Sequence, residues 1–122
     1  MFKDGLRFRD EESEDEVIFN HYSFCKILKW IIVKYADRTY EEADCLVRKH
    51  PVSEVPTSFS EVTLITHELE YHWAMLIAHG NMYWLRGIAS DFNSFSDEYF
   101  EWEDSIRKRY QLKEPYTYLN AE

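Results

Sequence analysis

The residues best suited to chemistry fall in HELEYHWAMLIAHG, positions 67–80, where three histidines and two glutamates stand within fourteen residues. Imidazole and carboxylate groups at this density suit either a divalent metal or a general acid–base pair. Zinc hydrolases place two histidines at i and i+4, so that both rings reach one ion from one helix face. Here the spacing runs from His67 to His72, which on a helix separates the two rings by about 140°. Position 71, where the second ligand would stand, is a tyrosine. His72 and His79 do share a face, but they lie about 10 Å apart along the axis, too far for one ion. That leaves Glu68 and His72, at i and i+4, as the pair a metal or a proton transfer would use. A metal would need further ligands from His21 or His50. No metal or other cofactor is expected on this pattern.

Catalysis also needs a nucleophile, an electrophilic stabiliser or a phosphate cradle. The chain has no G-x-S-x-G, no glycine-rich phosphate loop and no C-x-x-C. The expectation is a non-enzyme, with acid–base chemistry at Glu68 and His72 as an alternative. Placed on one helix over 61–79, Val62, Ile65, Leu69, Trp73 and Leu76 fall within about 80° and form a core stripe. Glu61, Glu68, His72 and His79 flank it within about 40°. The stretch thus reads as the aromatic-rich middle of a packed helix, with Glu68 orienting His72 at the border of the core.

The elements around it are marked by caps. Ser13 with Glu16, Thr39 with Glu42 and Ser58 with Glu61 each have capping-box spacing. They predict helices over 17–36, from 39 to Pro51, and over 61–79 with Gly80 at its end. Phe95, Tyr99, Trp102, Ile106 and Tyr110 recur at helical spacing, and Arg107, Lys108 and Arg109 suit the negative end of that helix. Residues 1–12 are expected as an exposed lead-in and 81–89 as a short helix or extended crossing. The tail from 111 is expected to pack by Tyr116 and Tyr118 without forming an element. With 3 Gly and 3 Pro in 122 residues and 45% hydrophobic content, the chain reads as one all-α domain, a bundle of four to five helices.

Cys25 and Cys45 both fall in predicted helices and read as small buried side chains, not a disulfide framework. Lys26, Lys29 and Lys34 interrupt the longest apolar stretch, so no membrane span is expected. The first sixteen residues lack the apolar segment of a signal peptide. A reducing cytoplasm is the expected location.

The net charge is −9, and its placement decides more than its total. Residues 51–106 carry one basic residue, Arg86, against ten acids, and DEESEDE at 10–16 adds an acidic run. These repel phosphates and anionic lipids, so neither nucleic acid nor membrane is an expected partner. The segment DFNSFSDEYFEWEDS at 91–105 interleaves acids with aromatics. On a helix, Tyr99, Trp102 and Ile106 point inward while Glu98, Glu101 and Asp104 share the surface with Phe100. Such a face suits a basic protein: the aromatic anchors, and the carboxylates steer. The binding candidates are Asp97, Glu98, Phe100, Glu101 and Asp104, with Glu41, Glu42 and Asp44 of TYEEAD as a second patch.

YEEADCLV at 40–47 and HELEYHWAMLIAHGNMYW at 67–84 resemble stretches in the immunity proteins of bacterial toxin systems. The resemblance covers about a third of the chain and carries no motif of known mechanism. It implies a small acidic cytoplasmic inhibitor that occludes a basic toxin, such as a nuclease. Three other readings stay open: a helical module that self-associates into a homodimer through 17–36, the Glu68–His72 enzyme, and a DNA mimic, against which the basic 107–109 cluster weighs.

Overall fold

A computed structural model describes residues 3–80, 82–86, 88 and 96–119. Among them lie five α-helices and one three-stranded antiparallel sheet. The chain is therefore mixed α and β, and the expectation of an all-α bundle is corrected.

The sheet starts where a lead-in was expected. Leu6–Arg9 forms β1 and Glu16–Phe19 forms β2, with Leu6 opposite Phe19 and Phe8 opposite Val17. Apolar side chains at every second position face the core, while Arg7 and Arg9 face out. The acidic run is the hairpin connection, not a helix start. Ser13 Oγ donates to Asp10, the Asp15 N–H donates to Ser13 Oγ, and Glu14 takes a positive φ of 64°. Ser13 thus closes a turn instead of capping a helix. The third strand, β3 (Tyr116–Leu119), comes from the tail that was expected to form no element. It pairs with β2, Tyr116 opposite Phe19 and Tyr118 opposite Val17. These strands escape the sequence pattern because each is four residues long and 17–19 runs straight into the apolar stretch that follows.

That stretch becomes α1 (His21–Tyr35), buried on most faces and central to the domain. Its first turn is capped from a distance: Asp4 accepts from both the Ser23 N–H and the Ser23 hydroxyl, each at 2.8 Å. Asn20 clasps the strands, accepting from the Gly5 N–H and donating to the Glu114 carbonyl. Ser23 Oγ also accepts from the Lys113 N–H. The segments leading into β1 and β3 are so fastened to one helix terminus.

The second helix, α2 (Tyr40–Lys49), opens with the expected capping box, Thr39 Oγ1 accepting from the Glu42 N–H and Glu42 from the Thr39 N–H. It ends before Pro51, which begins a single 3-10 turn, Pro51–Ser53. Ser58 caps α3 (Phe59–Thr66) as expected. The helix expected over 61–79 is instead two, because Leu69 is extended (φ −68°, ψ 149°) and a new helix, α4 (Glu70–His79), starts after it. The break shifts the phase of the wheel. Tyr71, Ala74 and Met75 are the buried positions of α4, while Leu69 of the predicted stripe is half exposed. Gly80 closes α4 at φ 90°, the left-handed region where only glycine is unstrained. Tyr83–Arg86 adds a 3-10 turn.

Last comes α5 (Ser96–Tyr110), with the expected basic residues in its final turn. Phe95 of the predicted stripe lies outside the described residues. Tyr99 is the hub that seats α5, with its ring 5.6 Å from Tyr35, 6.0 Å from Tyr71 and 5.9 Å from Trp102. Further along, Trp30 of α1 stacks on Tyr110 at 4.9 Å. Of the two cysteines, Cys25 is buried, and burial pushes its thiol up to about 12, so it is inert. Cys45 is exposed, not buried as expected. None of the described helices is long and apolar enough to cross a membrane.

Candidate functional site

The histidine-rich stretch does not converge. His72 sits on α4 with Nδ1 2.9 Å from the Tyr83 hydroxyl and Nε2 3.9 Å from Glu68. Trp84 stacks beside the same ring at 6.4 Å. The imidazole therefore pins the Tyr83–Arg86 turn to α4. His21 and His50 are elsewhere, each occupied by Val52. His21 Nε2 lies 3.1 Å from the Val52 carbonyl, and His50 Nδ1 accepts from the Val52 N–H at 3.1 Å. Burial holds both rings below their usual range. Among the described residues, no three His, Cys, Asp or Glu side chains are grouped to hold a metal ion.

The second acidic patch is engaged internally. Glu42 is held by the Thr39 cap, which lowers its pKa. Asp44 bridges the buried Lys29 at 2.7 Å and Arg48 at 2.9 Å, and its pKa is lowered first by the Lys29 hydrogen bond. Glu41, the third of them, is exposed and belongs to neither the cap nor the bridge.

On α5 the predicted face forms. Asp97, Glu98, Glu101 and Asp104 are exposed, and Phe100 stands among them at 52% exposure. Of these acids Asp104 meets Lys108 at 3.0 Å in a solvent-exposed pair, of a kind worth little to the fold. Tyr99, Ile106 and Arg107 turn inward and seat the helix.

What the sequence pattern missed lies along one edge of that face. Phe100, Glu103, Asp104 and Arg107 stand at i, i+3, i+4 and i+7 and make one wall of a cleft of about 500 Å³. The start of α4, with Leu69 and Glu70, makes the second wall, and the run from Glu114 into β3 makes the third. Arg107 lies at the floor with its side chain 8% exposed. Its Nη2 donates to Glu103 at 2.5 Å and to Glu70 at 3.4 Å, and its Nη1 donates to the Lys113 carbonyl at 2.8 Å. One guanidinium thus serves two carboxylates and ties down the link between α5 and β3. Burial raises the pKa of Glu70, and the Glu103 charge adds to the effect; Arg107 opposes both. Tyr99, behind Glu103, is also raised, by burial and then by that carboxylate.

The Glu103–Arg107 pair at i, i+4 was visible in the sequence as spacing. Glu70 and Glu114–Thr117 were not, since they reach Arg107 only through the break before α4 and the return of the tail. No protein-family model, curated protein or solved structure matches this chain.

Proposed function

We propose that this chain is a stoichiometric binder of a basic protein, of the toxin-immunity type, which inhibits its partner by occluding a basic surface. The observation that carries the reading is the exposed α5 face, where Asp97, Glu98, Glu101 and Asp104 surround the half-exposed ring of Phe100. Carboxylates in water contribute little to stability, but they speed and select association with a cationic surface. A large exposed ring among them is suited to be the anchor that partner burial turns into affinity. The rigid mounting of α5 through Tyr99 and Trp102 favours such a role, because a preorganised face loses less entropy on binding. The cytoplasmic setting of such inhibitors belongs to the same proposal.

Charge reversal tests it. Glu98→Lys with Glu101→Lys should weaken partner association at low salt about tenfold or more. Both positions are exposed, so the melting temperature should stay nearly unchanged, the effect on stability being about 0.5 kcal/mol or less. Calorimetric titration and thermal melts on the same preparation give both values. Equal partner affinity in the double variant would move the interface off α5. A second reading, acid–base chemistry at His72, has one observation in its favour, the Glu68–His72–Tyr83 chain of contacts.

A further inference from the structure

We infer that the cleft between α5, the start of α4 and the run into β3 is an arginine pocket, taking one guanidinium side chain of the basic partner. The inference rests on the binding function proposed above and gives it a specificity site. Two independent features of the cleft point to such an occupant. Its rim is apolar where a long side chain would lie: Phe100 is 52% exposed, Leu69 48% and Tyr116 39%. These groups suit the methylene stem and the flat face of a guanidinium, which packs on aromatic rings better than an ammonium does. Its lining is short of positive charge: Glu70, Glu103 and Glu114 stand against the single guanidinium of Arg107, Asp104 being met by Lys108.

The division of Arg107 between its acids is unequal. Glu103 holds it at 2.5 Å and Glu70 at 3.4 Å. Glu70 is consequently the carboxylate that Arg107 holds more weakly, largely buried but lining the cleft. Its raised pKa agrees, since burial and the neighbouring Glu103 and Glu114 charges disfavour its ionised form in the free protein. A second guanidinium beside it would restore the charge balance and form the paired hydrogen bonds that carboxylates and guanidinia favour.

The probes are the blocked peptide acetyl-Gly-Arg-Gly-amide and its citrulline counterpart, which keeps the shape and removes the charge. Each is titrated into the full chain and followed by amide chemical shifts. The expected result is saturable shifts at Leu69, Glu70, Phe100 and Tyr116 with the arginine peptide and none with citrulline. Glu70→Gln should weaken the arginine peptide about tenfold or more, and Phe100→Ala, at an exposed position, should weaken it as well. Glu70→Gln should melt no lower than wild type at pH 7. A carboxyl raised by folding disfavours the fold above its folded pKa, and that penalty is gone below the ordinary glutamate range, so any gain should vanish on acidification. Equal shifts from citrulline, or unaltered binding in Glu70→Gln, would each overturn the pocket. Arginine-peptide shifts confined to Asp97, Glu98 and Glu101 would overturn it while leaving the α5 binding face in place. No saturable shift anywhere would overturn the pocket and count against that face too.

Discussion

Replacing Arg107 by methionine should be among the most damaging single changes in this protein, lowering stability at pH 7 by about 3–5 kcal/mol. The apolar stem of the side chain is kept, so the loss measures the guanidinium. Glu70 and Glu103, both largely buried, would face each other without a cation. The Lys113 carbonyl would also lose its donor, freeing the link into β3. Against a total stability of about 5–15 kcal/mol, such a loss leaves little in reserve. Urea unfolding at two pH values checks the cause. Because the damage is repulsion between carboxylates, it should shrink as pH falls and Glu70, whose carboxyl burial already raises, takes up a proton. Adding Glu70→Gln and Glu103→Gln to the methionine variant should recover most of it, since a cluster neutralised throughout is far better tolerated than one left half paired. A methionine variant as stable as wild type at pH 7 would mean the carboxylates are hydrated and the cluster is not a closed unit.

Tyr99→Ala should cost a similar amount, about 3–5 kcal/mol, for a different reason. Its ring, 2% exposed, fills the space between Tyr35, Tyr71 and Trp102. Without it α5 keeps Trp102 on Tyr35 and the buried Ile106, but loses the ring that touches both α1 and α4. Tyr99→Phe retains the ring and should cost only about 1 kcal/mol. If the two variants were equally destabilised in denaturant titrations, the hydroxyl beside Glu103, not the ring, would be what seats the helix.

Both effects concern residues whose importance was unevenly legible in the sequence. The Thr39–Glu42 box and the Ser58 cap could be read off directly, because each is decided within four residues by donors and acceptors of the same segment. The outward acids and inward aromatics of α5 were legible for the same reason: one helix sets both faces. The sheet was not. Each strand spans four residues, and the pairing of Phe19 with Tyr116 joins positions that no local pattern relates. Val17–Phe19 merged with the apolar run of α1, so the boundary at Asn20 was invisible until its side chain was seen clasping Gly5 and Glu114. The break at Leu69 has no glycine or proline to mark it. It brings Glu70 onto Arg107, thirty-seven residues away, and in doing so turns the predicted stripe of α4 out of phase. The cleft is legible only after that break is known.

The binding function itself is tested most directly by capture of partners on the immobilised full chain from its host's lysate, at low salt and again at high salt, beside the Glu98→Lys, Glu101→Lys variant. One predominant basic protein is expected, retained by the wild type at low salt, released by high salt, and held poorly by the variant. A partner held equally by both forms, or none at either salt, would contradict it and turn attention to His72, Glu68 and Tyr83.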